Sequence, residues 1–253
     1  MSREFPAFFQ AVQKELELVF EKLEVVLQPQ AKLVLQKFLP HFDLDRVIPP
    51  GLVLLGAHLF AKTGTAILPA VFVELIYLAT TLHNLPWKRG KESPTLILGG
   101  DYLFGHLFFL LCEHNCLFLL DRLARLIKEM SEGSTLLETG WQKGRELNRQ
   151  SILEGLKKQY GSFFGESCAL GCLFAGGDEE KQFLISKFGV EIGIAYGAKR
   201  IGLESSLSLF HLNRALCLLA SFPAPSGKKE LEKAAREIAL LPPVKITSYP
   251  ALI

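Results

Sequence analysis

The stretch from Val73 to Asp101 constrains the fold more than any other part of the chain. It starts as an amphipathic helix, breaks at Pro86, crosses a short basic loop and restarts before Gly99-Gly100-Asp101-Tyr102. On the helix, Tyr77, Thr81, Asn84 and Lys88 follow the spacing i, i+4, i+7, i+11, so they share one face. That face carries no carboxylate.

On either side lie the longest apolar runs, Ala66–Leu82 and Tyr102–Leu120. Glu74 interrupts the first, and His106, Glu113 and His114 interrupt the second. Neither reaches a clean run of ~20 apolar residues, so the reading is no transmembrane segment. Helices that are apolar nearly all round belong at the centre of a thick bundle.

The remaining chain reads as helices as well. Phe5–Leu27 is amphipathic and stops at Gln28-Pro29-Gln30; Ala31–Leu39 is a short helix ending at Pro40. A loop over His41–Gly51 carries Pro49-Pro50, and Leu52–Lys62 is a buried helix. Ala66–Asn84 and Ile97–Cys112 follow, then a turn at His114-Asn115 and a helix from Cys116 to Met130 that breaks at Ser131-Glu132-Gly133-Ser134. Asn148 caps Ser151–Tyr160. Ser162–Ala175 is a helix rich in small residues, and Gly176-Gly177-Asp178 leads into Glu179–Arg200. Ser205–Phe222, a linker at Pro223–Gly227 and a charged helix over Lys228–Leu240 complete the order. The expectation is an all-α single domain over 1–253, of about ten helices, with an N-terminal helix in 1–31 and a C-terminal helix and tail in 223–253.

A chain of 253 residues with 49% hydrophobic content buries a sizeable core. A net charge of +2 gives no electrostatic reason to expect a nucleic-acid partner. The five cysteines, an odd number in apolar helical surroundings, fit reduced core residues in a cytoplasmic protein. Glu15, Glu17 and Glu21 interrupt any secretory signal pattern at the N-terminus.

Several short segments occur together in an informative order. They are Pro50–Ala57, Val73–Ile76 through His83, Leu98-Gly-Gly-Asp-Tyr-Leu103, Met130–Gly133, Ser167–Gly171 and Phe188-Gly-Val-Glu-Ile-Gly-Ile-Ala-Tyr196. In this order they resemble the trans-isoprenyl diphosphate synthases (polyprenyl synthetases), over roughly Lys32 to Phe222. The resemblance implies an isoprenoid-synthase-type helical bundle around a central cavity, usually dimeric. It also implies magnesium-dependent joining of isopentenyl diphosphate to an allylic diphosphate. Ionising a carbon–diphosphate bond builds negative charge on the leaving group, which clustered Mg²⁺ ions on carboxylates offset.

The metal-binding acids of that family have no counterpart here. After His83, aspartates are expected at 84, 85 and 88, where this chain has Asn84, Leu85 and Lys88. After Tyr196 they are expected at 200, 201 and 204, where it has Arg200, Ile201 and Glu204. Six negative charges become a formal sum of +1 from Lys88, Arg200 and Glu204. The family's isopentenyl-diphosphate grip aligns with Leu44–Pro50, where only Arg46 is basic. The histidine ahead of the first motif is Tyr77, the Lys-Thr pair is Gln159-Tyr160, and the glutamine ahead of the second motif is Gly197. In an alternative alignment, with the loop about five residues shorter than the family pattern, Lys88-Arg89 represents the paired arginines instead, and that alignment leaves no aspartates either.

The expectation is therefore an enzyme fold without its metal: no cofactor, Mg²⁺ absent, and no catalytic residue. The vestigial diphosphate and cavity positions are Arg46, Tyr77, Asn84, Lys88, Arg89, Gln159, Tyr160, Arg200 and Glu204. Glu204, one turn after Arg200, is its expected ion-pair partner, and Lys88, Arg89 and Arg200 could instead hold a phosphate. Cys112/Cys116 and Cys168/Cys172 form Cys-x₃-Cys pairs, a pattern shared with plant geranyl diphosphate synthase small subunits. His83, His106, His114 and Glu113 read as structural. Three functions follow: a non-catalytic or regulatory subunit, as a homodimer or a heterodimer with a catalytic isoprenyl diphosphate synthase subunit; a protein binding an isoprenoid or other apolar ligand; or a prenyltransferase with a rewired site.

Overall fold

The computed structural model describes residues 5–38, 44–89, 94–142, 148–222 and 227–242. Among them every regular element is a helix. The α-helices are α1 Gln13–Val26, α2 Pro29–Phe38, α3 Leu44–His58, α4 Ile67–Arg89, α5 Pro94–Glu113, α6 Leu120–Gln142, α7 Arg149–Leu156, α8 Ser162–Phe174, α9 Glu179–Arg200, α10 Ser205–Ser221 and α11 Lys228–Leu240. A 3₁₀ segment over Ala7–Val12 replaces the first turns of the expected first helix.

The core runs along α3, α4, α8 and α9, where almost every α4 residue from Ala70 to Ala79 is buried. Glycines let these helices approach closely. A Cβ on Gly56 of α3 would sit 2.6 Å from the Cys168 carbonyl oxygen of α8. One on Gly171 of α8 would overlap the Val53 carbonyl oxygen of α3 and lie 3.0 Å from the Ala57 nitrogen. Cys168 and Cys172 of α8 are fully buried. Burial drives the Cys168 thiol far above its usual range and the Cys172 thiol up to about 11, so both stay protonated. These two are core residues, and all five cysteines are free thiols.

Local signals place several ends as expected. The Asn148 side chain accepts from the Ser151 N–H at 2.8 Å and caps α7, and Asp178 accepts from the Lys181 N–H at 2.9 Å and caps α9. Asn115 takes the left-handed conformation in the turn after α5.

Three expectations are corrected. The loop expected over His41–Gly51 is helical from Leu44, and Pro49 and Pro50 lie inside α3. Each lacks the N–H that would bond the carbonyl four residues back, at Asp45 and Arg46. Pro86 does not end α4, which continues to Arg89. The break expected at Ser131–Ser134 is absent, because α6 runs through it. Gly133 is used there for packing, since a Cβ would lie 2.5 Å from the Gln159 nitrogen.

By length and composition, two helices, Thr63–Leu85 and Pro94–Glu113, could cross a membrane. The second gains the length because it starts at Pro94 and takes in Leu96, Ile97 and Leu98 ahead of the expected run. The apolar stretch of the first is 67% buried within the bundle, and that of the second 33%.

On α5, His106 stacks on Tyr102 with ring centroids 5.9 Å apart. Its buried Nε2 has no hydrogen-bond partner among the described residues. Burial holds its pKa below 6.5, against an opposing pull from Glu113. The unfolded chain therefore takes up a proton near 6.5 while the folded chain resists it. Stability from this group is fully present above 6.5 and declines as pH falls below it. Urea titrations at descending pH are expected to show a steeper loss for the wild type than for His106→Phe.

Candidate functional site

Helices α3, α4, α6, α8 and α9 converge on the cavity expected at the centre of the bundle. From α4 come Tyr77, Thr81 and Asn84, the face read from their spacing. Opposite them stand Gln159 and Tyr160. They project from a π turn over Lys157–Gly161, which joins α7 to α8 in one nearly continuous rod. Such turns are rare and re-aim the residues they carry. Phe163 and Phe164 of α8 and Tyr196 of α9 fill the interior, with the Tyr160 and Tyr196 rings 5.8 Å apart and those of Phe164 and Tyr196 5.2 Å apart. The space left is about 120 Å³. The Thr80 hydroxyl, on its wall, is buried without a hydrogen-bond partner among the described residues.

Asp45, at the start of α3, controls the electrostatics. Its two oxygens accept from the Tyr196 hydroxyl and from the Arg200 guanidinium. Only 23% of the Asp45 side chain and 17% of the Arg200 side chain are exposed. Burial, and then the Asp45 charge, push the Tyr196 hydroxyl well above its usual range. For Arg200, burial acts to lower the pKa, and the Tyr196 and Asp45 oxygens outweigh it, so the group stays cationic. The guanidinium also lies 5.6 Å from the centre of the Tyr196 ring. This arrangement replaces the expected Arg200–Glu204 pair. Helix α9 ends at Arg200, and Gly202, with φ of 77°, turns the chain away. Glu204 is exposed at the start of α10 and accepts from the Ser206 hydroxyl at 3.1 Å.

Arg46 points elsewhere. It pairs with Glu74, whose side chain is fully buried, and its guanidinium lies 5.3 Å from the centre of the Phe20 ring. Lys88 and Arg89 belong to the last turn of α4, and their side chains lie outside the described residues. The structure thus brings Tyr77, Asn84, Gln159 and Tyr160 together on one cavity. It sets Arg200 beside that cavity through Asp45, and leaves Arg46 and Glu204 apart from it.

Among the described residues no three His, Cys, Asp or Glu side chains gather as a metal site. His83 Nε2 instead lies 3.1 Å from the Ile97 carbonyl oxygen and 3.2 Å from an Asp101 oxygen, linking α4 to α5. The sequence reading missed Asp45 and Phe163–Phe164. Asp45 has no local signal, while the aromatic doublet on a small-residue helix was a visible one.

A separate groove of about 920 Å³ runs between α6, α7, α8, α9 and α10. On its wall Glu191 is held by His211 at 2.6 Å and Arg214 at 3.0 Å, and Glu166 pairs with Arg122. None of the described residues expected at the site lines it.

No protein-family profile matches the chain. It is 24% identical over 165 residues to a geranylgeranyl diphosphate synthase of Methanosarcina mazei, covering 58% of this chain and 51% of that protein. A geranylgeranyl diphosphate synthase of Sulfolobus acidocaldarius is 27% identical over 143 residues, covering 49% of this chain and 43% of that one. The chain spans about half the length of these curated relatives. Among solved structures, a decaprenyl diphosphate synthase from Rhodobacter capsulatus superposes with a TM-score of 0.77 at 18% identity, over 92% of this chain and 97% of that chain. A geranylgeranyl pyrophosphate synthetase from Geoglobus acetivorans gives 0.77 at 18%, over 94% and 100%. The resemblance to the trans-isoprenyl diphosphate synthases therefore holds at two levels, in aligned sequence and in the all-α bundle that this chain and the polyprenyl synthases share.

Proposed function

We propose that the chain is a catalytically inactive relative of the polyprenyl diphosphate synthases. It acts as a non-catalytic or regulatory subunit of isoprenoid biosynthesis in the cytoplasm, as a homodimer or as a heterodimer with a catalytic isoprenyl diphosphate synthase subunit. The observation that carries this reading is the Asp45–Arg200 pair. Diphosphate chemistry needs carboxylate oxygens free to hold divalent cations. At the position aligned with the second aspartate motif stands a guanidinium, and the carboxylate nearest to it has both oxygens engaged by Tyr196 and Arg200. Asn84, on the opposing wall, is a neutral amide. This donor set does not fit a magnesium cluster.

Size supports the same reading over an apolar-ligand protein. A volume of about 120 Å³ equals about four water molecules, against roughly 300–1,000 Å³ for sites that enclose an organic ligand. The rewired-enzyme reading would need Glu204, which is exposed and apart from the cavity.

The test is incubation with isopentenyl and allylic diphosphates plus Mg²⁺. The expected result is no elongated prenyl product and no rise in melting temperature with a diphosphate and Mg²⁺. A ligand at a hundred times its Kd would stabilise the fold by about 2.7 kcal/mol. Detection of a longer diphosphate overturns the proposal.

A further inference from the structure

Two donors one turn apart on α9, the Tyr196 hydroxyl and the Arg200 guanidinium, converge on a single carboxylate. Residues four apart share a helix face, so α9 by itself holds the two donors in register. Tyr196 is 3% exposed. Its hydroxyl keeps its proton, because burial and then the Asp45 charge push its pKa up, and Arg200 stays cationic. A hydroxyl proton beside a planar guanidinium is a receptor for a carboxylate, one oxygen to each.

The carboxylate that fills it is the chain's own, and the turn that brings it is weakly tied. Asp45 stands in the first turn of α3. Pro49 and Pro50 supply no N–H to the carbonyls of Asp45 and Arg46, so two backbone bonds that would hold this turn are missing. Side chains hold it instead: Asp45 on Tyr196 and Arg200, and Arg46 on the fully buried Glu74. Beside Asp45 lies the cavity of about 120 Å³. On its wall the Thr80 hydroxyl, a further donor, has no hydrogen-bond partner among the described residues.

We propose that Tyr196 and Arg200 form a binding site for a small organic carboxylate, which the first turn of α3 closes from within by inserting Asp45. An acid in the first turn of a helix also has a plain role, since it complements the helix dipole. That role does not require two donors from another helix to meet both of its oxygens, and it predicts no affinity for a free carboxylate once Asp45 is removed. A diphosphate is the poorer ligand. No Lys or Arg among the described residues lines the cavity itself, and the single guanidinium of Arg200 beside it offsets one negative charge.

The inference rests on the same ion pair as the proposed function, but not on the absence of turnover. A prenyl product would sink the subunit reading and leave this site standing; a failure to bind carboxylate would sink this site alone. The test removes the built-in ligand from the full chain and supplies it in solution. Acetate has the atoms of an Asp side chain from Cβ onward, so it matches what Asp45→Gly removes. Melting temperature is followed against sodium acetate, with sodium chloride at equal ionic strength as reference. Asp45→Gly is expected to melt below the wild type and to recover toward it as acetate saturates. The Kd is expected on the order of a millimolar, as acetate's four non-hydrogen atoms allow. The wild type is expected to show no saturable response, because Asp45 already holds the site. Asp45→Asn, which fills the space with a neutral amide, and Asp45→Gly combined with Arg200→Met are expected to show none either. Should Asp45→Gly be unfolded by itself, acetate is expected to fold it, and Asp45→Ala with formate repeats the match one carbon shorter. No saturable response in either variant, an equal response without Arg200, or tighter binding of inorganic phosphate than of acetate would each overturn the proposal.

Discussion

Replacing Gly171 by alanine is expected to cost about 3 kcal/mol of stability or more, at the upper end of what overpacking removes. The reason is what the new methyl group would strike. Backbone atoms of α3 surround its position, with the Val53 carbonyl carbon at 2.9 Å and the Ala57 nitrogen at 3.0 Å. A side chain could rotate aside; a helix backbone cannot without moving α3 as a whole. Since α3 carries Asp45 and α8 carries Phe163 and Phe164, the same displacement would widen the cavity. Urea unfolding should show a lower midpoint with an unchanged slope. Gly56→Ala is expected to act in the same direction. The double variant should lose less than the sum, because both methyl groups push the same two helices apart. An unchanged midpoint in Gly171→Ala would show that the two helices are not held at this separation.

Breaking the Asp45–Arg200 pair is the second large effect. Removing one partner of a buried ion pair costs about 3–5 kcal/mol. Here 17% and 23% of the two side chains reach solvent, so Arg200→Met is expected to cost about 2 kcal/mol. The loss comes from an Asp45 carboxylate left facing apolar surroundings with only the Tyr196 hydroxyl. Converting both residues, Asp45→Asn with Arg200→Met, removes both charges and should recover most of it. A double-mutant cycle by urea denaturation measures the coupling, expected at about 1 kcal/mol or above. Additive losses would mean that the two groups do not depend on each other.

What the sequence disclosed and what it hid follow a physical division. Helix ends set by a residue's own side chain were legible: Asn148 and Asp178 cap by bonding a nitrogen three positions on. Signals that depend on what lies opposite were misread. Pro49-Pro50 and Ser131–Ser134 look like breaks by local preference, yet packing carries α3 and α6 through both. The face of Tyr77, Thr81 and Asn84 was legible because helical spacing is local. The partner of Arg200 was not, since Asp45 stands 155 positions away and nothing nearby announces it. Glu204 was assigned by continuing the helix past Arg200. Gly202, a residue type that ends helices, was the available warning.

The π turn at Lys157–Gly161 has a consequence for how this rod tolerates change. Each helical residue advances the chain by about 100°, so one surplus amino acid resets the angular phase of everything beyond it. Upstream, that phase points Leu156 at Leu137 and Ile194; downstream, it points Phe163 and Phe164 inward. The wide turn takes up such a surplus locally, so a single-residue deletion within Lys157–Gly161 is expected to restore α-helical winding with both halves still aimed as they are, whereas a deletion within α7 or α8 would swing one half by about 100°. A change of length is thus best tolerated at this turn, in a segment that looks, by composition alone, like an ordinary stretch of helix.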